Sequence, residues 1–327
     1  MSKEGNKKTA AARIYSGSFV EEYGTIEILR SERYHRYFSV ILSKLEWADA
    51  DIHDKKKKEV LKNVIDIISG SSRNCDVVGM GVDDRFITVL PETDYLGSLI
   101  TIRKMRRAVD VMAKEYPQVS VNFAQSTYPS DGKSYTDLLG AAEKRISGQK
   151  SGLWAKFGIK DKLFWQAVSI LLQNKYDDGN VASTFDVGAD MEFPPVFISL
   201  LQETVLREII RHPSKKGILY MGLGNISPDS IMLKTISNMP KTMTKVFIVG
   251  GGESDKLNIV NATHIYVSDD RLLDTFFILF IREDTAYVVV CRERWGGTFS
   301  CFHSVDPYLA EGLIEKFQRD YYLQEQL

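Results

Sequence analysis

The sequence has few of the residues that build disulfide frameworks or zinc sites. Its three cysteines, Cys75, Cys291 and Cys301, are odd in number and lack close pairing along the chain. This argues against a disulfide framework and indicates a reducing cytosol. The five histidines are too scattered to match the ligand spacing of a zinc site. We therefore predict a cytoplasmic protein that holds neither a metal nor a cofactor.

Long hydrophobic runs and an excess of one charge are also missing. The longest apolar runs, such as residues 276–281, are far too short to span a bilayer. The polar, lysine-bearing N-terminus lacks the apolar core of a signal peptide. Because 42 basic residues nearly balance 43 acidic ones, no overall field recruits nucleic acid or an anionic membrane. We predict neither a membrane span nor a nucleic-acid partner.

What is present suits two globular domains. The 327 residues are 44% hydrophobic and 26% charged, which is enough apolar material for real cores. Helical and strand periodicities alternate, and they predict an α/β (α+β) fold in both halves. The predicted organisation is a disordered tail at 1–18, a domain at 19–150, a linker with one helix at 151–195, and an α/β domain at 196–327.

The first domain has a clear predicted order of elements. A helix at 19–34 is followed by a strand at 38–42, a helix at 55–68, a β-hairpin, and then a helix at 96–114, a strand at 119–123 and a helix at 134–146. In the second domain, helices at 197–211 and 308–322 enclose several predicted strands and one further helix.

The hairpin is the most informative stretch. An apolar pair, a glycine-rich break and a second apolar run indicate two strands joined by a tight turn. We expect Gly79 and Gly81 to supply the turn, and Pro91 to end the second strand because it cannot donate to a ladder. The tip then carries Asp83, Asp84 and Arg85. From the residues alone, a solvated turn explains these charges.

Its motif spacing resembles a known family. Arg73 and Asp76 form an R-x-x-D pattern, a five-residue spacer leads to the pentapeptide 82–86, and an apolar run ends in LPET at 90–93. The arrangement resembles the GGDEF domain, the catalytic domain of diguanylate cyclases, over residues 19–150. It implies a GGDEF-type, nucleotidyl-cyclase-like sheet flanked by helices.

Other segments extend or weaken the resemblance. Residues 28–34 resemble the helix before the first GGDEF strand, and residues 128–132 match the final third of the family. The D-x-L-T-G-L-x-N-R opening of the family is missing. Residues 196–327 resemble sensory or output domains of the DICT or GAF type in topology only.

The resemblance implies a degenerate catalytic tip. The GGDEF pentapeptide is replaced by Val82, Asp83, Asp84, Arg85 and Phe86. Diguanylate cyclases hold metal ions with acidic residues to neutralise triphosphate charge. Lys44 stands where the family places such an acid on its first strand, and Arg85 replaces a second one. We therefore expect a pseudoenzyme with no catalytic residues.

The inhibitory product site of the family is kept. In the resemblance, Arg73 and Asp76 bind cyclic di-GMP, because a forked guanidinium suits guanine and phosphate while a carboxylate accepts from guanine N–H groups. A basic residue from the next helix usually completes this site. The candidates are Arg103, Lys104, Arg106 and Arg107, with Lys104 at the family position. The family also implies a ligand-promoted homodimer.

Alternatives remain open at this point. The GGDEF-like fold can be a protein-interaction scaffold that binds no nucleotide. In either case, we predict an unknown protein partner that binds through the C-terminal domain. It can also be a GTP-binding module or a residual cyclase. In the second half, the glycines around Gly222 and Gly250 indicate phosphate cradles or plain strand-end turns. The aromatic group Trp295, Phe299, Phe302 and Tyr308 indicates a pocket or a core.

Overall fold

The computed structural model describes residues 14–48, 53–188, 193–226, 230–251 and 258–324. The chain divides into two compact units, Met1–Gly148 and Gln149–Leu327. Each unit consists of a β-sheet flanked by helices, which confirms the predicted α/β fold class. Among the described helices, none has both the length and the apolar character needed to cross a membrane.

The first unit contains a five-stranded sheet with the strand order β1-β3-β4-β2-β5. Its elements are β1 (Ile14–Ser16), α1 (Gly17–Tyr34), β2 (Phe38–Trp47), α2 (Asp54–Ser71), β3 (Val77–Met80), β4 (Arg85–Leu90), α3 (Tyr95–Ala113), β5 (Val119–Tyr128) and α4 (Tyr135–Ser151). From α1 onward, this is the predicted order of helices and strands. The strands β2 and β5 run on for several residues beyond their predicted ends.

The two faces of this sheet are buried by different helices. Successive strand residues point to opposite faces, and Val40 and Ile41 of the central strand β2 show this. Ile41 packs with Phe86 and with residues of α2 and α3. Val40 packs with Val89 and with Val20 of α1. The hairpin β3–β4 therefore lies between two layers of helices, one on each face of the sheet.

The start of the chain differs from the predicted tail at 1–18. Ile14–Ser16 forms β1, which pairs in parallel with β3 and places Tyr15 opposite Gly79. Ser16 then caps α1 by accepting a hydrogen bond from the backbone N–H of Phe19. Residues 1–13 lie outside the described residues. Three residues give too little periodicity for a strand to be predicted.

The second unit contains an eight-stranded sheet with the order β10-β9-β8-β11-β12-β13-β7-β6. Its elements are α5 (Leu153–Lys156), α6 (Phe164–Gln173), β6 (Asp177–Asp178), β7 (Ala182–Val187), α7 (Phe193–Arg211), β8 (Gly217–Asn225), α8 (Ile231–Ser237), β9 (Thr244–Gly251), β10 (Thr263–Tyr266), α9 (Arg271–Asp274), β11 (Thr275–Arg282), β12 (Thr285–Arg294), β13 (Thr298–Ser304) and α10 (Pro307–Asp320). β8, β9 and β10 are parallel, and β11 to β13 are antiparallel.

Helices cover both faces of this second sheet. On one face, Leu206 and Ile209 of α7 pack against Ile278 of β11. On the other face, the Phe277 ring lies 5.4 Å from Phe164 of α6 and 5.3 Å from Phe317 of α10. The edge-on aromatic contacts make this second face a continuous aromatic core.

The prediction of a linker at 151–195 needs correction, because the described part of this segment belongs to the second unit. The one helix predicted there exists as α6, and its Phe164 is fully buried. β7 is paired with β13, with Phe185 opposite Cys301. The glycine- and serine-rich segment at 147–152 is not a linker either, since residues 147–151 form the end of α4 and Gly152 precedes α5. Residues 189–192 lie outside the described residues.

Candidate ligand site and hairpin tip

The hairpin turn is made by aspartates. Asp83 and Asp84 have φ values of 56° and 52°, so two consecutive left-handed residues reverse the chain. Asp tolerates this conformation better than most residues do. The predicted role of Gly79 is wrong, since it lies inside β3. A Cβ at Gly79 would lie 2.1 Å from Val20, so this glycine lets α1 approach the sheet.

Asp84 ties the tip of the hairpin to the central strand. Its carboxylate accepts a hydrogen bond of 2.9 Å from the Trp47 indole N–H. Its backbone carbonyl accepts a second one, of 3.1 Å, from the Leu45 N–H. The Asp84 side chain is therefore engaged within the protein.

Two cations face each other next to this turn. In the register of β2 and β4, Lys44 is directly opposite Arg85. Like charges in that position repel each other, and each cation has an acidic partner. Arg85 forms an ion pair with Glu143 of α4, and Lys44 lies 3.7 Å from Glu46. The charge at the tip is thus balanced by protein side chains.

Val82 and Phe86, at the two ends of the pentapeptide 82–86, lie in different surroundings. Val82 is 75% exposed at the turn, whereas Phe86 is fully buried between the sheet and the α2–α3 layer. Within the described residues, no three His, Cys, Asp or Glu side chains come together in a group that could hold a metal ion.

The R-x-x-D residues form a small loop between α2 and β3. The Asp76 carboxylate accepts a 2.6 Å hydrogen bond from the backbone N–H of Arg73, and the Asp76 N–H donates to the Arg73 carbonyl. Burial raises the pKa of Asp76, and the Arg73 N–H acts in the opposite direction. The Arg73 side chain is exposed. The loop therefore orders its aspartate through the backbone and leaves the guanidinium at the surface.

Residues of α1 beside this loop were missed by the sequence analysis. Burial raises the pKa of Tyr23, and the charges of Glu27, Cys75 and Asp76 raise it further, so its phenol lies near the loop. Glu27 is 3% exposed and forms a 2.9 Å ion pair with Arg30. The available signal was Gly79, because a glycine inside a strand indicates close approach of a helix.

The basic positions of α3 are not equivalent. Lys104 and Arg107 are exposed and Arg106 is half-buried, but Arg103 is only 3% exposed. Arg103 is packed in the interior, so Lys104 and Arg107 are the predicted positions most open to a surface ligand. Arg103 also lies about 12 Å of helix rise beyond the start of α3. The exposed positions next to it are thus well along the helix.

The glycines proposed as phosphate cradles in the second unit are sites of close packing. A Cβ at Gly222 would lie 2.1 Å from the Phe277 ring, and one at Gly250 would lie 2.0 Å from the Leu223 carbonyl. The aromatic group does not converge on a pocket either. Trp295 is fully exposed, while Phe302 is fully buried. Neither the glycines nor the aromatic group therefore forms a ligand site of the predicted kind.

Comparison with known proteins gives a partial likeness in shape. No protein-family model and no curated protein matches the chain. The active GGEEF domain of a diguanylate cyclase from Vibrio cholerae is 13% identical, covers 43% of this chain and 94% of its own, and has a TM-score of 0.38. A DGC protein from Thermotoga maritima is 14% identical, covers 41% of this chain and 95% of its own, and has a TM-score of 0.36.

A third structure holds a nucleotide. The coiled coil and GGDEF domain of DgcB from Caulobacter crescentus, in complex with c-di-GMP, is 9% identical, covers 43% of this chain and 79% of its own, and has a TM-score of 0.38. The structural neighbours are thus GGDEF domains of diguanylate cyclases over about two fifths of the chain. With TM-scores this low, they carry no conclusion about its chemistry.

Proposed function

We propose that the first unit is a catalytically inactive GGDEF domain that acts as a cyclic di-GMP receptor in the bacterial cytoplasm. Arg73 and Asp76 bind the nucleotide, and no metal or cofactor takes part. The second unit is a sensory or output domain of the DICT or GAF type, and it contacts an unknown protein partner. The chain therefore transmits a second-messenger signal rather than making one.

The observation that carries this proposal is the cross-strand pair of Lys44 and Arg85. Joining two GTP molecules requires divalent ions held by acids, which neutralise the triphosphates and activate a ribose hydroxyl. Two cations in register repel a divalent ion instead. The acids around them, Glu46 and Glu143, are already paired with these cations. The tip is thus balanced without metal.

The R-x-x-D loop suits a receptor because it places the ordered carboxylate of Asp76, a hydrogen-bond acceptor, next to the exposed guanidinium of Arg73, a hydrogen-bond donor. The Asp76 carboxylate is oriented by the Arg73 N–H before any ligand arrives. The exposed Arg73 guanidinium offers parallel N–H groups to guanine or phosphate acceptors. An ordered acceptor and an exposed donor side by side match the donor and acceptor edge of guanine.

We also propose ligand-promoted dimerisation, and the position of the basic helix supports it. Lys104, Arg106 and Arg107 lie along α3, away from the end of the sheet that carries the R-x-x-D loop. A ligand held by Arg73 in one copy therefore meets these residues on a second copy. We expect the mass measured by light scattering to double at saturating cyclic di-GMP. An unchanged mass at saturation contradicts this part of the proposal.

Calorimetric titration with cyclic di-GMP tests the receptor role. We expect saturable binding by the full chain without divalent ions, and absence of heat at high micromolar ligand contradicts it. Incubation with GTP and Mg²⁺ or Mn²⁺ tests inactivity, and we expect no cyclic di-GMP in the product mixture. Robust product formation would show a residual cyclase, the second alternative to the receptor.

A protein-interaction scaffold is the rival function that a specific observation favours. The outer side of α1 exposes apolar side chains, with Phe19 at 41%, Ile26 at 47% and Leu29 at 61%. Apolar side chains spaced along one helix are typical of a docking face. A protein that binds a partner but no cyclic di-GMP in the same titration would support the scaffold.

A further inference from the structure

The two buried cysteines of the second unit lie directly opposite each other. β12 and β13 form an antiparallel hairpin whose register pairs Cys291 with Cys301. The loop between the strands is residues 295–297, and both cysteines are equally distant along the chain from Gly296 at its centre. The register of the hairpin therefore determines that these two side chains meet.

The geometry of this pair fits a disulfide. Directly opposed residues of antiparallel strands have Cα atoms about 4.5 or 5.5 Å apart, depending on the ladder position. Disulfides span Cα separations of about 4.4–6.8 Å, so both positions qualify. The two thiols are free and buried, and the neighbouring Cys301 thiol contributes to a raised pKa of the Cys291 thiol. At these separations, rotation of the two side chains is enough to bring the sulfurs together.

We propose that Cys291 and Cys301 form a site of oxidative modification, at which a peroxide converts the pair into an intrachain disulfide. One thiolate sulfur attacks a peroxide oxygen, and the O–O bond breaks to give a sulfenic acid and hydroxide. The second sulfur attacks the sulfenic sulfur, forms the S–S bond and releases water. Two thiols lose two protons and two electrons, and hydrogen peroxide becomes two waters. This site is independent of the proposed nucleotide receptor.

Burial makes oxidation of this cysteine pair slow and restricts it to small oxidants. The interaction with the Cys301 thiol and burial both raise the pKa of the Cys291 thiol, so little thiolate is present to start the reaction. The two side chains are 1% and 0% exposed, which excludes large oxidants and glutathione. A sulfenic acid formed there meets the second thiol before any other thiol. Cys75, which is exposed in the first unit, is open to all oxidants.

The bond would tie together the two strands of a prominent hairpin. Trp295 at its tip is fully exposed, between Arg294 and two glycines with positive φ. A covalent link across β12 and β13 removes open conformations of the hairpin and so lowers the entropy of the unfolded chain. We expect the thermal midpoint of the oxidised protein to rise by a few degrees, about 2–8 °C.

The test uses the full chain with Cys75→Ser, treated with hydrogen peroxide in native buffer. Free thiols are then alkylated, and the protein is digested with trypsin without reductant. Arg292 and Arg294 lie between the two cysteines, so trypsin separates them. We expect one joined peptide pair with a mass about 2 Da below the sum of its thiol forms, released by dithiothreitol. Separate alkylated peptides, sulfonic acids or interchain dimers overturn the proposal.

Two controls exclude a link that forms only in unfolded protein. The same oxidation in concentrated urea exposes both thiols and should give a mixture that includes interchain dimers and overoxidised cysteines, whereas native buffer should give the joined peptide alone; the same mixture in both conditions overturns the proposal. The second control is Cys75→Ser/Cys301→Ser, which keeps one buried thiol and should give no joined peptide. Since the main measurement needs no change in the core, it stands even where this double variant folds poorly.

Discussion

The two ends of one hairpin strand differ in how their charges are used. At the tip, Asp84 is bonded to Trp47, and Arg85 is paired with Glu143, so the charged groups satisfy one another. At the other end, the Asp76 carboxylate accepts a hydrogen bond from the backbone N–H of Arg73. The Arg73 guanidinium lies at the surface. A closed set of charges stabilises a fold, whereas an exposed donor beside an ordered acceptor is available for a ligand. Substitutions at each end test this distinction.

Arg73→Ala should have the largest effect. The guanidinium donates charge-assisted hydrogen bonds worth about 1.5–3 kcal/mol when desolvated, so cyclic di-GMP affinity should fall roughly tenfold to hundredfold. The thermal midpoint should not change, because the exposed side chain stabilises little. Calorimetry and a thermal melt measure the two effects. Arg73→Lys is the control that keeps the positive charge but lacks the paired N–H groups of the guanidinium. Its affinity for cyclic di-GMP should lie between those of the wild type and Arg73→Ala.

Asp84→Ala should show the reverse pattern. The Trp47 indole loses its acceptor, and alanine replaces aspartate at a φ of 52°, so the free energy of unfolding should fall by about 2 kcal/mol. Cyclic di-GMP affinity should stay the same. Asp84→Asn keeps an acceptor and tolerates the left-handed backbone, so it should restore most of the stability. Loss of binding in Asp84→Ala would place the ligand at the tip instead.

Asp76→Asn should separate binding from stability. Asparagine keeps an acceptor for the Arg73 N–H but loses the charge that guanine N–H groups favour, so affinity should fall about three- to tenfold. Because burial raises the pKa of Asp76, the folded state binds its proton more tightly than the unfolded chain does. Ionised Asp76 therefore opposes folding above that pKa, and the wild type loses stability as the pH rises through it.

The thermal midpoint of Asp76→Asn should accordingly equal or exceed that of the wild type at pH 7. The difference should disappear in acid, below the usual aspartate pKa, where both side chains are neutral. Melts across this pH range measure it. A variant that is less stable than the wild type at neutral pH would show that the Asp76 charge stabilises the loop.

The sequence predicts this hairpin well because its signals are local. A proline that ends a strand and an apolar alternation on each side depend on near neighbours, and β4 does end at Leu90 before Pro91. Gly79 was assigned to the turn because glycine also suits tight turns; read as a strand glycine, it would have indicated the close approach of α1. The burial of Arg103, by contrast, depends on how α3 rotates against the sheet.

Which residues face each other across two strands depends on the strand register, and the sequence indicates that register only indirectly. Lys44 opposite Arg85 requires the alignment of two strands separated by a helix and a third strand. The Cys291–Cys301 pair is different, because a hairpin centred on Gly296 places the two cysteines symmetrically. Counting outward from the glycine turn would have revealed that pair. The spacing in sequence alone suggested that the cysteines were unrelated.

Glu143→Gln should have the smallest effect of the four changes. It removes the charge partner of Arg85, but the two side chains are 30% and 50% exposed, and water screens their attraction. We expect a loss of less than about 1 kcal/mol in the free energy of unfolding, and less again in high salt. Denaturant melts at low and high ionic strength measure this, with Glu203→Gln on the exposed side of α7, where Glu203 pairs with Arg207, as the matched control for a surface pair. A loss several times larger would mean that the tip depends on this ion pair to hold Lys44 and Arg85 together, and the charges at the tip would then be strained rather than balanced.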